Sequence, residues 1–137
     1  MRLTMVVEWT AGTRERFDWK DGVLIPQARV WPLEWGLPPV NYGCIPDYWN
    51  PNDGAELDAI TANPSLLAVG TKLTGNVLGM VWTNDTDHKI ILGESKDLEL
   101  LDWAGLEEWF AGRDARLTGA QEALEFIWSL PRTSWHD

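Results

Sequence analysis

The sequence predicts an α+β fold, a small β-barrel, closed or partly open and OB-like, with two helices at its C-terminal end. Three observations lead there. Up to Gly93 the apolar residues fall in short, β-rich runs punctuated by turns, and beyond it their spacing becomes helical. The chain has 137 residues, 45% of them hydrophobic and 11% aromatic, enough for a single core, so residues 1–137 are read as one domain. Strands first and helices last fit a curled sheet with helices packed on one side.

The first strand is expected over Met5–Trp9, followed by a turn at Ala11-Gly12-Thr13. Arg14–Trp19 alternates, with Phe17 and Trp19 on one face and Arg16 and Asp18 on the other. Lys20-Asp21-Gly22 is a strong turn signal, and a third strand starts at Val23 and ends near Pro26 or Pro32. From Pro32 to Gly54, Pro38, Pro39, Pro46 and Pro51 forbid a continuous helix. That segment reads as one long ordered loop, of a length usually reserved for function. Leu57–Thr61 is a short strand. Gly70–Thr83 is a longer one with Leu78, Met80 and Trp82 on one face. Asn84–Asp87 turns the chain, and Lys89–Leu92 returns it. Leu106, Trp109 and Phe110 mark a first helix with Asp102 as N-cap. Ala123, Phe126, Ile127 and Leu130 mark a second, opened by a capping box at Thr118-Gly119-Ala120-Gln121 and stopped by Pro131.

Composition excludes several functions. Eleven basic against 21 acidic residues leave a net charge of −10, the wrong sign for a nucleic-acid backbone partner. An anionic substrate stays compatible if the carboxylates hold divalent cations, which reverse the local field. Cys44 is the only cysteine, so neither an internal disulfide nor a multi-thiolate zinc site is available, and a reducing cytoplasm is the expected compartment. The N-terminal apolar run is interrupted at Glu8, so neither a signal peptide nor a membrane span is expected. Ten tryptophans run along the whole chain. Core packing is the ordinary use of such residues, and a sugar-stacking platform is the alternative.

The chemistry concentrates in Pro39-Val40-Asn41-Tyr42-Gly43-Cys44-Ile45-Pro46 and in Asp53-Gly54-Ala55-Glu56-Leu57-Asp58. Hard oxygen ligands around a glycine turn suit magnesium or calcium. Glu56 and Asp58, two apart in an extended segment, point the same way, as do Asp85, Asp87 and Lys89. An EF-hand is excluded, since Gly54 at the sixth loop position would put Trp49 at the first ligand position. An acidic surface turn and a solvated hairpin with a local ion pair are the plain alternatives.

Asn41-Tyr42-Gly43-x-Ile45-Pro46, followed by an acidic D-G-x-x-x-D element, resembles the signature region of the soluble family I inorganic pyrophosphatases, in its usual form N-Y-G-[YF]-[IV]-P and then D-G-D-P-x-D. Val6-Val7-Glu8 resembles that family's first-strand glutamate, and Arg16-Phe17-Asp18 its Lys-Tyr-Glu element. Gly79–Thr83 with Asp85, Asp87 and Lys89 resembles its later strand and hairpin. The resemblance implies the pyrophosphatase fold and Mg2+-dependent hydrolysis of pyrophosphate by a metal-activated water, in a homo-oligomer. Carried over residue by residue, it implies metal ligands at Asp53, Asp58 and Asp87, with Asp85, Glu56, Glu8 and Asp18 near the metals. It implies phosphate contacts from Lys89, Arg16, Tyr42 and Arg29.

Departures from the pattern are specific. Ala55 stands where the central aspartate of D-G-D belongs, and Glu56 is one residue later. Asn84 or Asp85 stands for another aspartate. Pro38 replaces a tyrosine, and only Arg113 lies near the place of a late Tyr-Lys pair. These departures motivate a second reading, a pyrophosphatase-fold protein with reduced, lost or altered phosphoanhydride hydrolase activity. A tryptophan-rich carbohydrate-binding β-domain is a third, and leaves the Asn41–Asp58 block unexplained. His88, out of phase with its neighbours, is expected to face away from the site. His136 carries no role, and Cys44 is read as packing.

Overall fold

The computed structural model describes residues 1–111 and 114–133; the expectations placed on Arg113, Trp135 and His136 lie outside these. Eight strands form in chain order, β1 (Arg2–Trp9), β2 (Phe17–Lys20), β3 (Val23–Pro26), β4 (Tyr42–Asn50), β5 (Ala55–Thr61), β6 (Lys72–Trp82), β7 (Lys89–Gly93) and β8 (Arg116–Gly119). Helices α1 (Trp103–Trp109) and α2 (Ala120–Trp128) follow β7 and β8 respectively.

The sheet runs β1-β4-β5-β7-β6, and β6 pairs back onto β1, closing a five-stranded barrel. All its pairings are antiparallel except β5 with β7, so the barrel is mixed. The first half of β6 pairs with β1 and the second half, on the same edge, with β8. Strands β2 and β3 form a separate two-stranded sheet.

Both faces of the barrel wall are covered. Ile90 and Leu92 of β7 pack with Met5, Ile45, Leu57, Met80 and the α2 residues Ala123 and Ile127. Ile91 packs with Val40, Ile60, Val81, Leu106 and Phe110, on the side of α1. A strand buried on both faces has no reason to alternate, which is why Ile90-Ile91-Leu92 is an unbroken apolar run.

Four sequence expectations are corrected. The stretch read as one loop from Pro32 to Gly54 contains the nine-residue β4. Pro46 is accommodated because the β4–β5 register shifts between Ile45 and Trp49, so a residue without an N–H falls where no ladder bond is needed. Leu78 does not share a face with Met80 and Trp82. A register shift between Val77 and Gly79 inserts it as an extra residue, and it joins the cluster containing Val81 while Met80 and Trp82 join the other. The start of α2 lies one residue later than expected. Thr118 sits in β8 with its hydroxyl donating to Met80 O at 3.3 Å, Gly119 is the N-cap, and Glu122 accepts from Gly119 N at 2.8 Å. Strand β8 itself lies in a segment read as the opening of that helix. Asp102 does cap α1, accepting from Gly105 N at 3.0 Å.

Candidate active site

The signature segment is held by the fold before it contributes chemistry. Asn41 is buried, and its Oδ1 accepts from Ala11 N at 2.9 Å while its Nδ2 donates to Ser65 O at 2.7 Å. It ties together two loops far apart in sequence and so anchors the start of β4. Gly43 is required by contact: a Cβ there would collide with the Val6 carbonyl on the neighbouring β1. Tyr42, between them, faces a cleft.

That cleft has a volume of about 800 Å³ and lies against β1, β2, β4, β5 and β7. Four-residue turn Pro51–Gly54 joins β4 to β5, with Gly54 at φ 67° and its N–H donating to Asn50 O at 2.9 Å. The turn carries Asp53 to the cleft. Strand alternation then brings Ala55's neighbour Glu56 and Asp58 to the same cavity, and Ala55 also lines it. Asp87 and Lys89 enter from the start of β7, which runs parallel beside β5.

Carboxylate oxygens of Asp53, Asp58 and Asp87 all lie within 4.8 Å of one another. Lys89, whose side chain is only 5% exposed, donates to Asp58 Oδ2 at 2.8 Å and pairs with Asp87 Oδ2 at 2.8 Å. Burial pushes the Asp58 carboxyl up to about 7; Lys89 opposes this, and the negative charges of Asp87 and Asp53 add to it. Three hard oxygen donors converge and an ammonium already sits between two of them, so the donor set fits a hard divalent cation.

Glu8 also lines the cleft. Its Oε2 accepts from Trp19 N at 2.6 Å, yet burial raises its pKa to about 7, with Asp58 and Asp18 adding to the rise. Asp18 lines the cleft and accepts from Gln27 Nε2 at 3.1 Å. The Arg16 guanidinium lies 4.7 Å from the centre of the Trp9 ring and 5.8 Å from that of Trp31, a cation–π seat that orients it at the cavity wall.

Two sequence candidates are not brought to the cleft. Asp85 is taken up by its own turn, its Oδ1 accepting from Thr83 Oγ1 at 2.6 Å and from Asp87 N at 3.1 Å. It acts as the cap that sets the direction of Asp87. Arg29 is exposed, with its guanidinium 5.3 Å over the Trp35 ring. His88 is buried on the other side of the wall, where its Nδ1 accepts from Thr83 N at 3.0 Å and its ring contacts Trp82 and Phe126; burial lowers its pKa. Burial raises the Cys44 thiol well above its ordinary range, which leaves it unreactive.

Reading the sequence missed the aromatic wall. Trp9, Trp19, Trp31, Trp35, Trp49 and Trp109 all line the same cleft. The sequence showed ten tryptophans, and with them the option of a stacking platform, but not which of them gather in one place.

This closed mixed barrel brings three converging aspartates and a lysine to one cleft, a set that could hold a divalent cation. The chain belongs to the inorganic pyrophosphatase family, whose sequence model matches residues 5–118. The members of that family are inorganic diphosphatases, hydrolases of a phosphoanhydride bond. Among solved structures it is similar to an inorganic pyrophosphatase from Neisseria gonorrhoeae, with a TM-score of 0.75, 25% identity, and coverage of 93% of this chain and 88% of that one. Those from Thermus thermophilus (TM-score 0.72, 18% identity, 93% and 88% covered) and Coxiella burnetii (0.71, 16%, 94% and 92%) share the fold. No curated protein sequence matches significantly.

Proposed function

We propose that this chain hydrolyses inorganic pyrophosphate to two phosphates in a Mg2+-dependent reaction. The observation that carries the reading is the convergence of Asp53, Asp58 and Asp87 beside Lys89 in a chain of this family.

Asp53, Asp58 and Asp87 would hold the cation, with Glu56, next to Ala55 in the lining, as a further carboxylate and Glu8 and Asp18 as outer negative charge. When bound, the cation neutralises phosphate charge and makes water nucleophilic near neutral pH. Lys89 and Arg16 bind and orient the phosphates, Arg16 being held ready by its seat on Trp9. The Tyr42 hydroxyl adds a contact from β4. Residues 1–137 act as one domain in this reading.

Compartment and assembly follow as part of the proposal. A single buried cysteine suits the cytoplasm, and no helix among the described residues is long and apolar enough to cross a membrane. Val23, Ile25, Val30 and Trp128 are exposed apolar residues that a homo-oligomer would cover.

The test is phosphate release from pyrophosphate, with magnesium and with excess chelator. Activity that chelation abolishes is the expected result, and activity indifferent to it overturns the metal assignment. The second reading, altered phosphoanhydride hydrolysis, draws on Ala55, which brings a methyl group to the cavity where the family pattern has a carboxylate.

A further inference from the structure

The acidic floor takes up only part of the cleft. A volume of about 800 Å³ lies in the range of pockets that enclose whole organic ligands, far more than two linked phosphates need. The remaining wall is aromatic. The rings of Trp9 and Trp31 are 4.9 Å apart, those of Trp31 and Trp35 5.1 Å, and those of Trp31 and Trp109 5.6 Å. Trp9 is buried and serves the core, but Trp35 leaves 51% of its surface in solvent while lining the cleft. Trp35 thus adds an exposed ring to a wall that already holds Trp31 and Trp109, and a contiguous aromatic patch of this kind marks a place for a ligand.

Arg16 joins the two halves. Its guanidinium contacts the rings of both Trp9 and Trp31, and its charge reaches Glu8, which also feels Asp58 on the floor. A phosphate held at the floor and at Arg16 therefore has an aromatic surface beside it.

We propose that this cleft accepts phosphoanhydrides bearing a flat heteroaromatic group, nucleoside di- or triphosphates, with the phosphates over the Asp53, Asp58 and Asp87 floor and the base stacked against Trp35, whose ring is held edge-to-face against Trp31 at 81°. The proposal rests on the phosphoanhydride hydrolase reading above and extends its substrate class. Hydrolysis adds water across the P–O–P bridge. A P–O bond forms from the water oxygen to the terminal phosphorus, the bridging P–O bond breaks with its electron pair on the leaving nucleotide phosphate, and the water proton goes to solvent. No oxidant or further reactant is needed.

The test is calorimetric binding, with magnesium, of a matched pair: methylenediphosphonate and the α,β-methylene analogue of ADP, which differ by the nucleoside and resist hydrolysis. Stacking predicts that the nucleoside analogue binds tighter by about fivefold to a hundredfold. Trp35→Ala removes most of that advantage, and Trp35→Phe, which keeps a ring, retains most of it. Equal affinities in the unaltered protein, or an advantage that survives Trp35→Ala, overturn the proposal. So does adenosine alone binding as tightly as the analogue, which would mark a site indifferent to phosphate. If neither diphosphonate binds, the phosphate site itself is absent and the hydrolase reading fails with the proposal. If methylenediphosphonate alone binds, only the proposal fails.

Discussion

The Lys89 ammonium donates to Asp58 Oδ2 at 2.8 Å across the parallel pairing of β5 and β7, joining residues 31 apart in sequence. With Asp87 on its other side, the ammonium offsets one negative charge of a cluster that Asp53 makes more negative still. After that pairing the three-aspartate cluster still carries net negative charge, which is what the proposed cation would neutralise.

Replacing Asp58 with Asn tests that account. The amide keeps the size and still offers Lys89 an acceptor, while Asp87 keeps its ion pair with the ammonium. Folding stability without metal is expected to hold or rise, and the pyrophosphatase rate with magnesium to fall at least about a hundredfold. Melting curves and phosphate release measure the two effects. A near-normal rate would place the cation elsewhere.

Glu8 gives stability a pH dependence of known sign. Its folded pKa of about 7 exceeds the ordinary 4.5, so between those values the folded chain binds more protons than the unfolded one. Raising the pH through that window costs stability. Glu8→Gln keeps an acceptor for the Trp19 N–H and removes the charge. In chelator the variant is expected to melt higher than the parent at pH 8, by roughly 1–3 kcal/mol in stability, with the difference shrinking toward zero below about pH 4.5. Melts across pH 4–8 for both proteins read this directly. A difference that does not vary with pH would contradict it.

At Ala55 the structure presents a methyl group to the cleft beside Glu56. Ala55→Asp adds a hard oxygen donor, and the magnesium concentration for half-maximal activity is expected to fall, with Glu56→Gln changing it little. The opposite pair of results, with Ala55→Asp neutral or harmful and Glu56→Gln inactive, would show that the ligand has moved by one residue. Metal titrations of activity separate the two. Indifference to both changes would remove this turn from the site.

Gly43 is predicted to tolerate no side chain. A methyl group there meets the Val6 carbonyl of β1, and the strands must part to admit it. Gly43→Ala is expected to cost about 3 kcal/mol and to lower the melting temperature by roughly 10 °C. An unchanged melt would mean that the β1–β4 contact is looser than the structure has it.

Local pattern accounts for what could be read in advance. Strands before helices, the turn at Asp53-Gly54, the shared side of Glu56 and Asp58 and the Asp102 cap each depend on a few neighbouring residues, and so does the Asn41–Pro46 signature, though β4 and β8 went unread. Even there local reading failed where the pairing slips. Pro46 is permitted inside β4, and Leu78 turns from the face of Met80, because a bulge changes which residue meets which across the ladder. Face alternation says which residues share a side of a strand but nothing about what lies across from them. The ion pair of Asp58 with Lys89, the exclusion of Arg29 and the gathering of six tryptophans at one cleft were decided by tertiary structure. Each depends on non-local pairing and barrel closure, which the chain adopts to bury both faces of its wall and which no short window of sequence can report.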